Sequence, residues 1–245
     1  MISGPAITLV HLPTVTSTMD VMDDLITAGT PEWTVVLADV QTAGLGRAGR
    51  RWEAEPGTAL LCSVLVRPVA GSLAGGMLAI GAGVAVAAML DDLGVAVQLK
   101  WPNDVLLGGR KLGGVLIRSR TDADGIAVNV GIGVNLRPTA SAPAGRASLS
   151  EVLSTIPTLA DLLPSLVGHM HQAVHRQNAS DVRDAWLQRA ALRDDVVAVE
   201  IDGARVVGRM SGLDADGALL LDTGQEAPRR VVAGDVVRGP RVEAG

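Results

Sequence analysis

Hydrophobic positions change period several times along this chain, and each change marks a boundary between elements. Residues 7–12 and 34–40 carry strand-like apolar runs. Between them Ser17-Thr18 stand where a helix cap would, opening an apolar helical spacing that reaches Ala28 and stops at Gly29. Residues 58–67 read as a further strand rich in Leu and Val. Residues 73–90 contain no charged side chain, and their Ala, Gly and Val content predicts a helix buried on nearly all sides. This run meets the length of a membrane span, but it is less apolar than a Leu-rich span and ends at Asp91-Asp92 without a basic flank, so a core helix is the better reading. Alternation returns at 95–100, is interrupted by Pro102-Asn103-Asp104, and resumes at 105–107. Gly108-Gly109 then signals a hairpin into 111–118, and a second turn at 122–125 leads into 126–136, which together predict an antiparallel meander.

Beyond it, residues 137–147 shift to Pro, Ala, Ser and Gly and read as a surface loop. Helical spacing covers 159–177, with Leu162, Leu166, His169 and Met170 along one side, and again 181–193. The period then returns to two at 196–201, 204–210, 218–222 and 229–232, with Asp-Gly turns at Asp202-Gly203 and Asp216-Gly217. That pattern predicts a small β-barrel of about fifty residues. A boundary near Leu192 divides the chain into units of 1–191 and 192–245.

Composition narrows the class. The 245 residues are 48% hydrophobic, enough for a substantial core, and the net charge of −5 argues against a chain whose main task is to hold nucleic acid or an anionic membrane. Local cationic loops therefore carry more weight. The single Cys62 excludes an internal disulfide framework, and the N-terminus lacks the basic start of a secretory signal, so a cytoplasmic location is expected. Phe and Tyr are absent, which leaves stacking to four tryptophans; Trp186 reads as helix core.

Two of the others lie in segments that look chemical. Gln41-Thr-Ala-Gly-Leu-Gly-Arg-Ala-Gly-Arg-Arg-Trp52 mixes glycines with Arg47, Arg50 and Arg51 and meets no acid before Glu53, so backbone N–H groups and guanidinium forks could converge on an anion. Lys100-Trp-Pro-Asn-Asp104 and Arg110-Lys-Leu-Gly-Gly114 place two lysines on neighbouring strands, with Gly113-Gly114 leaving the strand beside Lys111 bare for a flat ligand. Asp104 could bind Mg²⁺, act as a base, or cap the turn. The G-x-G-x-x-G at Gly44 fails as a dinucleotide fingerprint, because Gly49 opens no helix and no acid follows at the required distance. His171 and His175 form an i, i+4 pair with no third ligand in view, which favours a helix face over a metal site.

At these residues the chain resembles the biotin–protein ligases. Ser17-Thr18, the segment from Gln41 to Arg50, Lys100 to Asp104, Arg110 to Gly113 and Gly131-Ile-Gly-Val-Asn135 occur in that family's order and spacing. The resemblance implies an α+β fold: a mixed, largely antiparallel central sheet flanked by helices, of class II synthetase type, with a small SH3-like β-barrel at the C-terminal end. It implies that ATP activates biotin to biotinyl-5′-AMP with release of pyrophosphate, and that a lysine of a biotin carboxyl carrier domain then takes the biotin. Ser17, Thr18, Met19, Gln41, Leu45, Gly46, Arg47, Lys111, Gly114 and Gly131 would line the biotin pocket. Arg47, Arg50, Trp52, Lys100, Asn103, Lys111 and Asn135 would face the nucleotide. Lys111, Arg47 and Asp104 would carry the chemistry, with Asp104 near Mg²⁺. Leu45 replaces a usual arginine, and Met19 stands where Asn or Gln is common. The catalytic pattern begins by Thr16, so neither an N-terminal DNA-binding domain nor DNA binding is expected; a homodimer is compatible with the sequence. Lipoate or octanoate transfer, and non-catalytic binding of the adenylate, are the competing readings.

Overall fold

The computed structural model describes residues 4–69, 73, 75–139, 145–201 and 204–238; the turn at Asp202-Gly203 and part of the 137–147 loop lie outside them. Two strands, β1 (Thr8–Val15) and β2 (Thr34–Gln41), run parallel, as they must when a helix, α1 (Thr18–Thr27), carries the chain back between them. Ser17 caps α1, its hydroxyl accepting from the Met19 N–H, and the buried side chains Thr18, Met19, Met22 and Ile26 all fall on one stripe. That stripe packs on β2, on β3 (Ala59–Val66) and on β7 (Gly125–Asn135).

The remaining strands, β4 (Gln98–Lys100), β5 (Asp104–Leu107) and β6 (Arg110–Asp122), complete a seven-stranded sheet in the order β1-β2-β3-β7-β6-β5-β4. All of its pairs except β1–β2 are antiparallel. The expected 95–100 strand is shorter than its alternation, with only its last residues paired. Helix α2 (Gly76–Asp91) is buried all round, packing on α3 (Leu159–His171), α4 (Ala179–Gln188) and the sheet. At 16 residues, about 24 Å, it is no span, and no described helix is long and apolar enough to cross a membrane. The helical spacing to 177 continues past α3 as a π-turn over Gln172–Arg176.

A second, five-stranded antiparallel sheet follows, from β8 (Val196–Ile201), β9 (Ala204–Leu213), β10 (Leu219–Asp222), β11 (Arg229–Val231) and β12 (Asp235–Arg238), ordered β11-β10-β9-β8-β12. Its outer strands β11 and β12 are joined by residues 232–234 alone. A flat sheet would hold outer strands about 19 Å apart, whereas that connection reaches roughly 14 Å at full extension. The sheet therefore curls toward a barrel.

Candidate functional site

The β5–β6 hairpin sets the position of Lys111. Asp104 pairs with Gly114 and Val105 with Gly113, but Leu106 pairs with Lys111, so a bulge leaves Leu112 without a counterpart. Such a bulge re-aims the side chains beside it. Lys111 Nζ lies 2.5 Å from Asp104 Oδ1 and 5.8 Å from the centre of the Trp52 ring. The two glycines after it split their duties: a Cβ on Gly114 would meet Lys111 Nζ at 3.5 Å, whereas one on Gly113 would strike the Gly133 carbonyl. Only Gly114 keeps the face beside Lys111 bare. Asn103 is fixed by its Nδ2, which donates to the Val115 carbonyl at 2.6 Å, and its Oδ1 accepts from Arg47 Nη1 at 3.5 Å.

The glycine-arginine segment closes over this hairpin as an ordered loop. Trp52 N–H donates to the Gly44 carbonyl and Gly46 N–H to the Arg50 carbonyl, at 2.9 and 2.8 Å, with a single 3₁₀ turn at Arg47–Gly49 between them. Any Cβ on Gly44 would collide with the Trp52 carbonyl, so the closure requires glycine there. The Arg47 guanidinium donates to the Gly234 carbonyl at 3.3 Å, and Arg47 and Arg50 lie 3.5 and 3.0 Å from Asp235. The C-terminal sheet thus holds Arg47 and Arg50 of the loop, a contact that no local pattern signalled.

Between loop, hairpin and α1 lies a cleft of about 230 Å³ with two unlike ends. One end is neutral. Thr18 donates through both N–H and Oγ1 to Gln41 Oε1, at 2.7 and 3.1 Å, and Ser63 Oγ donates to Thr18 Oγ1 at 2.9 Å. Met19, Leu61 and Ile132 give that part apolar walls, and Gly131 makes room for the Met19 thioether. The other end carries Lys111, Arg47, Arg50, Arg51 and Arg146, with Asp104 as the one carboxylate among the described lining residues. Trp52 lies at this second end, with Lys111 Nζ 5.8 Å and the Arg146 guanidinium 5.2 Å from its ring centre, and is seated on Gly133, where a Cβ would come within 2.6 Å of its ring.

Ser17, Thr18, Met19, Gln41, Leu45, Gly46, Arg47, Arg50, Trp52, Asn103, Asp104, Lys111, Gly114 and Gly131 thus meet in one cleft. Two expected residues do not line it. Lys100 is half-buried on β4, opposite Asp104 in the β4–β5 ladder. Asn135 is buried beyond Gly133 on β7 and donates to the Ala147 carbonyl at 3.0 Å. Leu61, Cys62, Val115, Leu116, Ile132, Gly133 and Arg146 join the lining unannounced. The strand positions among them are buried on both sides, so alternation could not reveal which face opens; Arg146 follows a stretch with no period at all. Burial raises the Cys62 thiol to about 12, so it stays protonated and is no nucleophile at neutral pH. The histidines are partnered away from the cleft: His169 with Asp92, His175 with Glu32, both 2.9 Å, and the rings of His171 and His175 lie edge-on to Trp33.

Residues 12–135 match the Biotin/lipoate A/B protein ligase family, and residues 197–239 match the Biotin protein ligase C terminal domain. A biotin--[acetyl-CoA-carboxylase] ligase of Paracoccus denitrificans is 34% identical over 76% of this chain and 82% of its own length. The enzyme of the same name from Mycobacterium tuberculosis is 35% identical, with 83% of this chain and 78% of that protein aligned. In fold, the chain is similar to the biotin protein ligase of Aquifex aeolicus solved with biotin and ATP: TM-score 0.78, 23% identity, 95% of this chain and 99% of that one.

Proposed function

This chain belongs to the biotin/lipoate A/B protein ligase family and is an ATP-dependent ligase using biotin, and from that premise we propose how its cleft joins biotin to a carrier lysine. The observation that carries the reading is the cleft's division into a neutral, hydrogen-bonding and apolar end and a cationic end. Biotin has the matching halves: an uncharged ureido bicycle and a carboxylate tail. The bicycle lies among Thr18, Gln41, Met19 and Gly131, and the tail reaches the cations.

A carboxylate oxygen then attacks the α-phosphorus of ATP, the bond to the bridging oxygen breaks, and pyrophosphate leaves with its electron pair. Both reactants are anions. Lys111, held 2.5 Å from Asp104 and free to rest against Gly114, supplies positive charge where the new bond forms, already oriented before reaction. Arg47, on the closing loop, retains the adenylate. In the second step the carrier amine attacks the acyl carbon and AMP departs; Asp104 takes the proton from the incoming ammonium.

Mg²⁺ supplies charge neutralisation of the ATP phosphates. Among the described residues no three acidic, His or Cys side chains gather into a cation cage. A single carboxylate, Asp104, would be the protein group to hold such a cation beside the phosphates. The acceptor we assign is a biotin carboxyl carrier domain of an acyl-CoA carboxylase, and residues 1–191 and 192–245 are the catalytic and C-terminal units.

Pyrophosphate exchange into ATP, with biotin, lipoate or octanoate supplied separately and no acceptor present, tests the reading. Exchange with biotin alone is expected. Exchange with lipoate or octanoate instead would move the substrate assignment, and none with any acid would make the chain a binder without turnover.

A further inference from the structure

Of the cations around the cleft, Arg51 and Arg146 have no acid of their own among the described residues; Arg51 is exposed to solvent, and Arg146 is the one with a buried donor. Lys111 is paired with Asp104, and Arg47 and Arg50 with Asp235. Arg146 forms no ion pair among the described residues, and its Nη1 is buried with no hydrogen-bond partner. The guanidinium lies 5.2 Å from the centre of the Trp52 ring, whose own Nε1 is likewise buried and unpartnered. Stacking on an indole accounts for the face of a guanidinium but not for its N–H bonds, which lie in the plane and still require acceptors. A buried charged donor left unpaired is costly, and both orphan donors belong to one wall of the cleft.

The backbone fixes where Arg146 points. Ala147 N–H donates to the Lys111 carbonyl at 2.9 Å, Arg146 bridges Lys111 in parallel register, and Arg110 Nη1 donates to the Arg146 carbonyl at 3.1 Å. Arg146 and Lys111 are therefore brought to the same indole from adjacent segments. An anion reached by both must persist while Lys111 does its work. The carboxylate of biotin loses its charge on adenylation; the α-phosphate stays anionic from ATP to the adenylate.

Building on the ligase reading above, we propose that Arg146 is a nucleotide-contacting residue whose in-plane N–H bonds donate to the α-phosphate of the bound adenylate, with Trp52 as the platform that holds the guanidinium flat. Arg146 then binds the intermediate from beside Trp52 and Lys111, and does so through charge and direction together.

The test uses two unreactive mimics of the acyl adenylate, alike in biotin and adenosine: one joined through a phosphodiester, the other through an uncharged linker. Affinities of both are measured by calorimetry on the full chain and on R146M and R146K. R146M is expected to lose roughly ten- to a hundred-fold toward the phosphodiester and less than threefold toward the neutral mimic. R146K, which keeps the charge without the fork, is expected to fall between. Equal losses for both mimics would mean that Arg146 serves the base or only the shape of the wall, and would overturn the proposal, as would unchanged affinity for the phosphodiester. Should R146M not fold, the R146K ratio between the two mimics decides alone. The ligase reading is judged separately, on the unaltered chain's preference for the biotinyl phosphodiester over its lipoyl counterpart; only the variant ratios judge Arg146.

Discussion

Replacing Lys111 with Met removes the ammonium while keeping most of the stem, and it separates the cost to chemistry from the cost to folding. Across about 4 Å at the effective dielectric of a part-exposed site, one unit charge is worth about 4 kcal/mol to a developing phosphoryl charge. That corresponds to a fall of about 10³-fold in rate. On the folding side, Lys111 and Asp104 remain 34% and 22% exposed, so loss of their pair costs about 1 kcal/mol or less. For a chain of this size that lowers Tm by about 2–4 °C. Biotin-dependent pyrophosphate exchange measures the first quantity and a thermal melt the second. Exchange within threefold of the unaltered chain would refute the reasoning, because Lys111 would then stand away from the forming bond. Loss of exchange accompanied by collapse of the melt would refute it too, by showing that the pair holds the fold.

Gly133→Ala and Gly131→Ala form a controlled pair: a Cβ at 133 meets the stiff Trp52 ring at 2.6 Å, one at 131 meets the flexible Met19 Sδ at 2.7 Å. Gly133→Ala is expected to cost about 1–3 kcal/mol in a urea titration and to raise KM for ATP, whereas Gly131→Ala should cost less and raise KM for biotin; an unchanged KM for ATP in the first would unseat Trp52 from the nucleotide wall. Arg47→Gly should leave adenylation measurable while adenylate escapes into solution, detectable by chromatography; if none escapes, Arg47 is not the retaining group. Burial, and then the neighbouring His175 and Arg176 charges, hold the His171 imidazole below its usual range. The native state then binds this proton later than the unfolded chain, so stability is full at neutral pH and falls as pH drops from about 6.5 toward the lower folded value. His171→Gln should flatten the urea midpoint between pH 7.5 and 5.5 relative to the unaltered chain, and a slope that survives would place the titration elsewhere.

What the sequence made legible was whatever short-range spacing encodes. The Gly108-Gly109 hairpin, the capped α1 and the charge-free α2 each follow from neighbours within a few residues. Strand parity explains part of the remainder: Gly131, Gly133 and Asn135 share a face of β7, but only the glycines reach the cleft, because the face continues past it to where Asn135 binds the Ala147 carbonyl. Strand β12 went unread because Asp235–Arg238 is short, half of it charged, and only Val236 is fully buried. Arg146 was invisible for a different reason. Its position depends on backbone bonds to Lys111 across a stretch of small residues that carries no period.

The tie between the C-terminal sheet and the glycine-arginine loop shows why such contacts escape a sequence reading. Arg47 is held chiefly by a carbonyl, that of Gly234, and a carbonyl is present at every position whatever the side chain. What makes this one available is the backbone around it. Gly234 adopts φ of 136°, and a Cβ there would meet Val199 Cγ1 at 2.6 Å and the Glu200 carbonyl at 2.7 Å, so only glycine lets β12 begin so close to β8. The same logic recurs at another contact between the two parts of the chain, where Trp101 Nε1 donates to the Gly217 carbonyl at 2.9 Å and Gly217 lies against the backbone of Gly76. Each contact joins a motif-bearing segment to a glycine near the far end of the chain. The C-terminal sheet therefore does more than add burial: it sets the resting position of Arg47, and under the proposed role of Arg47 a phosphate would compete with Gly234 and Asp235 for that guanidinium.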